Sequence, residues 1–212
     1  AFDLFLVLDA DQPKRITARG EVKFPPTLKT VLIDHHRTSQ PFCQINLLAP
    51  EYPATAQILY DLFTLGGIEL TPDIAACLFL GIYTDTGGFK YSGVTPDTFL
   101  AAAALARLAP NFPDLLFQLE NNNSAKQLKF EGLALSSVEL VSGGRVALVA
   151  LSLADLARHD LHFDDTAGVS IPNRLKSVTG WEIGALLLES EVGLVRLSLR
   201  TRDPERFDLS RL

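Results

Sequence analysis

Two apolar runs constrain this chain more than anything else in it, because neither alternates. Leu4 through Leu8 reads LFLVL, and residues 30–33 read TVLI. A strand with one wet face alternates apolar and polar residues. A continuous run fits a strand covered on both faces, as in a parallel sheet flanked by helices. Each run stops abruptly in polar residues, Asp9-Ala10-Asp11 after the first and Asp34-His35-His36 after the second. In open α/β sheets ligands bind beyond the carboxyl ends of the strands. These two strand ends are therefore the first place to look for chemistry.

The intervening pattern is helical. In residues 54–65, Ile58, Leu59, Leu62 and Phe63 recur at helical spacing until Gly66-Gly67 stop them. Thr71-Pro72-Asp73 opens a second helix, running to about Tyr83 and giving way to a glycine-rich loop, Thr84-Asp85-Thr86-Gly87-Gly88. Thr95-Pro96-Asp97 opens an Ala-rich third helix that ends before Pro110. Asn121-Asn122-Asn123-Ser124 is polar and turn-prone, a linker that can cap a helix over 125–140. Beyond it the texture changes to a strand at 145–151, helices near 153–160 and 166–178, and a hairpin of 181–188 with 194–201. The fold class is thus α/β. A parallel-sheet domain spans 1–120, a linker and connecting helix 121–140, and a smaller α+β domain 141–212.

Composition closes off some functions. The 212 residues are 47% hydrophobic and 21% charged, enough for a real core, and the formal net charge is −6. That charge argues against a protein that coats long nucleic acid with a basic face. The longest apolar run, residues 74–83, is too short to span a bilayer. Cys43 and Cys77 form no CxxC and read as reduced thiols of a cytoplasmic protein. There is no Met, even at position 1, and the final RFDLSRL reads as the start of a helix cut short. Truncation at both ends is the expectation.

Carboxylates and imidazoles together suit Mn²⁺, Zn²⁺ or Fe²⁺, and paired ions about 3.5–4 Å apart can activate water and clamp a phosphoryl group. Each residue alone has an ordinary reading. Asp11 reads as a turn former or cap, a His-His pair as a surface accident, and Asp85 as a turn residue. Taken together, each at the end of an apolar element, the set points to a metal site.

These residues carry a resemblance. VLDAD at 7–11, IDHHRTSQPF at 33–42 and GIYTDTGGFKYSGVTPDT at 81–98 resemble, in order, the second, third and fourth motifs of the DHH phosphoesterase superfamily. PATAQILYDL at 53–62 resembles the helix that follows the third motif. The branch it resembles joins a DHH domain to a DHH-associated C-terminal domain, as in the nanoRNase/pAp phosphatase enzymes. That resemblance implies metal ligands Asp9, His35 and Asp85, with His36 near the scissile phosphate and Asp34 orienting an imidazole. It implies two Mn²⁺ ions, with Mg²⁺ or Co²⁺ as substitutes, and a short RNA or nucleotide bisphosphate as substrate. It implies no membrane and allows a homodimer. The family's first motif, His-x-Asp-x-Asp, and its C-terminal GGGH segment are absent from these 212 residues, so the chain by itself is expected not to turn over substrate.

Arg37 reads equally as a phosphate contact or a solvated residue. In VRLSLRTR (195–202), period two puts Arg196, Ser198, Arg200 and Arg202 on one strand face. A solvent-facing edge strand and a phosphate-binding face both fit. The resemblance favours the second, because Ser198, Arg200 and Thr201 look like the strand that lines the family's substrate cleft. Trp181 reads as core, and His159 and His162 as surface residues. The leading reading is a Mn²⁺-dependent phosphoesterase acting on short oligoribonucleotides or 3′-phosphoadenosine 5′-phosphate. A RecJ-like single-strand exonuclease, a cyclic or linear dinucleotide phosphodiesterase, a pyrophosphatase and a regulatory nucleotide-binding domain are the alternatives.

Overall fold

The computed structural model describes residues 2–17 and 22–209, in two compact units that divide at Asn121/Asn122. The last three residues of RFDLSRL, 210–212, lie outside the described residues, so the helix expected to begin there is described only in part.

The first unit holds a parallel sheet in the order β1(Leu4–Leu8)-β2(Lys29–Asp34)-β3(Ile45–Leu48). Val7 pairs in register with Leu32, and both are buried in a cluster that also takes in Phe5, Ile16 and Phe24. On the other face Ile33 packs against Ile58 and Ala49. Only β2, the central strand, is covered as its continuous apolar run requires. The expectation that β1 is buried on both faces is corrected. It is an edge strand among the described residues, and Leu4, Leu6 and Leu8 are 50%, 48% and 41% exposed, because α1 packs against the central strand β2, with Ile58 on Ile33.

Four helices follow: α1(Thr55–Leu65), α2(Pro72–Asp85), α3(Pro96–Leu108) and α4(Phe112–Glu120). Thr71 and Thr95 cap α2 and α3 with their hydroxyls, each followed by Pro in the first turn. Ala75, Phe79 and Ile82 of α2 interlock with Ala101, Ala102 and Leu105 of α3. The small Ala side chains let the helices approach. Gly81 serves the same purpose toward α1, where an added Cβ would stand 2.7 Å from Ala56 Cβ. No sequence signal marked β3 or α4 as elements.

The second unit is a mixed sheet, β4(Glu139–Val141)-β5(Val146–Leu151)-β6(Ile183–Glu191)-β7(Leu194–Thr201), with β5 and β6 parallel and the outer pairs antiparallel. Helices α5(Ala125–Ser136), α6(Leu153–Arg158) and α7(Ile171–Leu175) cover one face, over Val149, Leu186 and Leu188. Trp181 packs against this core, as expected. Two helix expectations change. The one over 125–140 stops at Ser136, because Glu139–Val141 pairs with β5. The one over 166–178 shrinks to a single short helix, since Gly168 sits at φ +79°.

Candidate metal centre

The ends of β1 and β2 and the C-terminus of α2 converge. Asp9, the residue after β1, adopts φ +58°, a left-handed conformation that Asp tolerates better than most residues. Its backbone N–H donates to Ile33 O, which holds it beside the end of β2. The Thr55 hydroxyl, at the start of α1, donates to Asp9 Oδ1 at 2.8 Å. Thr55 is buried, and the sequence reading did not single it out.

His35 and His36 follow the buried end of β2. His35 Nδ1 lies 3.1 Å from the carbonyl oxygen of Tyr52, which only accepts, so Nδ1 carries the proton. That leaves Nε2 with a free lone pair, 3.6 Å from Asp9 Oδ1 and 3.5 Å from Asp85 Oδ2. Those separations are too long for hydrogen bonds. They fit three donors that share one cation. His36 Nδ1 lies 2.8 Å from Asp34 Oδ1 and 3.9 Å from Asp9 Oδ1. Asp9, His35 and His36 each offer a ligand atom, all within 4.8 Å of one another.

The electrostatics ask for a positive charge. Burial, followed by the neighbouring charge of Asp9, pushes the Asp85 carboxyl above its ordinary range. Asp85 is also the last residue of α2, where the helix dipole disfavours an anion. The expected loop position of Asp85 is corrected by two residues. The helix continues through Asp85, and Thr86 ends it by donating to Ile82 O and accepting from the N–H of Phe89. Gly87 follows at φ +58°, and a Cβ there would meet the Tyr91 ring at 2.5 Å. Asp34 is fully buried. Burial raises its carboxyl, but the His36 imidazole outweighs this and holds it below the ordinary range. Burial lowers His36, and the Asp34 carboxylate more than reverses that and raises it.

The other sequence candidates separate. Asp11 is buried and paired with Arg15 Nε at 2.7 Å, an ion pair in place of the expected cap. Arg37 is exposed. In the second unit, Ser198 and Arg200 line a cavity of about 280 Å³ with Gly168, Val169, Ser170 and Pro172. Arg196 lies over the Phe163 ring at 4.9 Å. The arginine face of β7 thus turns toward the helices, although Arg196, Ser198 and Arg200 remain exposed, as do Val195 and Leu197 on the other face. Thr201 departs from the expectation. Period two turns it to the opposite face, and its hydroxyl donates to Glu182 O. Arg202, past the end of β7, donates to Val178 O. Lys176 was missed. Burial and then Arg200 lower its pKa, which marks two cations close together. His159 and His162 are exposed, as expected.

Asp9, His35 and His36 bring their ligand atoms close enough together to hold a divalent cation, and Asp85 approaches the same His35 nitrogen at 3.5 Å. No helix among the described residues is long and apolar enough to cross a membrane.

No protein-family model matches the chain. It is similar to the bifunctional oligoribonuclease and PAP phosphatase NrnA of Thermus thermophilus, 31% identical over 197 residues, which are 93% of this chain and 56% of that protein. The protein of the same description from Mycoplasma genitalium is 26% identical over 200 residues, 93% of this chain and 61% of that one. A probable bifunctional oligoribonuclease and PAP phosphatase NrnA of Streptococcus mutans is 26% identical over 173 residues, 81% and 54% of the two chains. The chain thus spans little more than half the length of these curated relatives. An exopolyphosphatase-related protein of Bacteroides fragilis superposes with a TM-score of 0.85 over 97% of this chain and 63% of its own, at 23% identity, which speaks for the fold.

Proposed function

We infer, for a chain that is a DHH-family, NrnA-like protein, that it is the metal-binding part of a phosphoesterase for short oligoribonucleotides and 3′-phosphoadenosine 5′-phosphate. One observation carries the reading: His35 Nε2, freed by the Tyr52 carbonyl, faces two carboxylates at 3.5 and 3.6 Å. A divalent ion held by Asp9, His35 and Asp85, Mn²⁺ in this reading, would supply Lewis acidity and lower the pKa of water.

The chain's own groups do the rest. Thr55 donates to Asp9 Oδ1, the oxygen that also faces His35 Nε2, and so fixes the orientation of the carboxylate. Asp34 orients His36 and favours its protonated form, so His36 can donate to a phosphate oxygen at the reacting end. Asp34 is a positioning residue in this scheme. In the second unit, Ser198 and Arg200, with the Lys176 charge nearby, line a cavity suited to an anion. Arg37 and Thr201 enter as proposed substrate contacts on the resemblance alone. A cavity of this size favours a short substrate over a long strand, which needs an extended basic groove. A cytoplasmic location and a homodimer belong to the same reading.

Hydrolysis by the intact gene product tests it. With Mn²⁺, an RNA dinucleotide and 3′-phosphoadenosine 5′-phosphate should be cleaved much faster than a ~20-mer RNA. Asp85→Ala should abolish both activities. No cleavage of either small substrate would overturn the reading.

A further inference from the structure

The turn that follows the two histidines buries a hydroxyl beside Asp34. Asp34 is fully buried, and only one of its carboxylate oxygens is accounted for. Oδ1 accepts from His36 Nδ1 at 2.8 Å, whereas Oδ2, also buried, makes no well-formed hydrogen bond among the described residues. Ser39 is 8% exposed, and its hydroxyl oxygen is buried and unpaired in the same way. Buried polar atoms without partners are uncommon in folded proteins, because each loses its water and gains nothing in return. These two are complementary: a carboxylate oxygen only accepts, and a hydroxyl rotates to donate.

The backbone brings the two residues together. Ser39 N–H donates to His36 O at 3.2 Å, which closes a turn over residues 36–39. Thr38 holds that turn from its other side, its hydroxyl donating at 3.4 Å to the buried Asp11 carboxylate that Arg15 also grips. Burial raises the Asp34 carboxyl, and against it work first the His36 imidazole and next the Ser39 hydroxyl, so that hydroxyl stands at the carboxylate.

The turn does not need the hydroxyl to close, since the backbone bond and the Thr38–Asp11 bond already close it. The carboxylate does need it. Held at one oxygen, the Asp34 carboxylate swings about its last torsion and takes the imidazole with it. Held at both, it fixes the plane of the ring that depends on it.

We propose that Ser39 is a positioning residue, whose hydroxyl donates to Asp34 Oδ2 and so locks the carboxylate that orients His36. The consequence for catalysis rests on the phosphoesterase reading above. The hydrogen bond does not.

Two measurements test it. In proton NMR of the metal-free full chain, the His36 Nδ1 proton, assigned by its loss in His36→Gln, should appear at low field and exchange slowly. Ser39→Ala should broaden or remove that signal, and Ser39→Thr, which keeps the hydroxyl, should retain it. In the intact gene product with Mn²⁺, Ser39→Ala should lower kcat for an RNA dinucleotide about 10-fold with KM unchanged, and Ser39→Thr should restore it. Circular dichroism should show both variants folded. The signal missing from the wild type, or unchanged in folded Ser39→Ala, overturns the proposal. So does an unchanged kcat, or an activity that falls only in step with thermal stability. If the intact wild-type protein cleaves no dinucleotide, the phosphoesterase reading falls, and the NMR comparison alone decides the part of Ser39.

Discussion

At the scale of single residues, the candidate metal centre was readable where its proposed members sit at element ends. Asp9, His35, His36 and Asp85 announce themselves because a polar cluster interrupts an apolar run. Thr55 did not, because it is 46 positions from the aspartate it holds and looks like an ordinary helix-starting threonine. Thr55→Val keeps the shape and removes the bond to Asp9. It should weaken Mn²⁺ binding about 10-fold, the usual scale for a lost partner of a metal ligand, as measured by titration. Asp34→Asn removes the charge that raises the His36 pKa. It should lower hydrolysis of a dinucleotide by about 10–100-fold in the intact gene product, with the metal still bound. Equal loss of metal would mean that Asp34 serves the ligand set instead. Thr201 shows the limit of a short motif. Resemblance placed it with Ser198 and Arg200, whereas the pleat sends neighbouring residues to opposite faces.

At the scale of elements, strands and helices with strong periodicity or caps were legible, and short ones were not. The four residues of β3 and the loosely capped α4 gave no signal, and β1 misled because an edge strand can carry the same run as a buried one. The α2 C-terminus is where local backbone and function meet. Gly87→Ala would place a methyl at φ +58° against Tyr91. It should destabilise the first unit by about 1 kcal/mol or more in denaturant melts. It should also loosen Mn²⁺ binding, since Asp85 stands two residues earlier.

At the scale of the whole molecule, the α/β class and the change of texture past the linker were visible, because the two units use different periodicities. The turning of the arginine face of β7 toward a cavity was not, since period two says which residues share a face and not what that face meets. The second unit also sets an acid limit. Glu189 accepts the backbone N–H groups of Leu153 and Gly193, Asp155 the hydroxyl and then the backbone N–H of Ser152, and Asp165 the backbone N–H of His162, and each carboxyl is thereby lowered. A group whose pKa is lowered on folding stabilises fully above its unfolded value, 4.5 for Glu and 3.8 for Asp. That stability is lost as pH falls through the lowered folded values. Thermal midpoints should therefore drop on acidification below about 4.5, and Glu189→Gln should flatten that drop. The central claim is that Asp9, His35 and Asp85 hold a divalent ion. Electron paramagnetic resonance of Mn²⁺ titrated into the intact gene product, its His35→Ala variant and its Asp85→Ala variant tests it most directly. Saturable binding that falls at least ten-fold in both folded variants is the predicted result, and equal binding by all three proteins would contradict it.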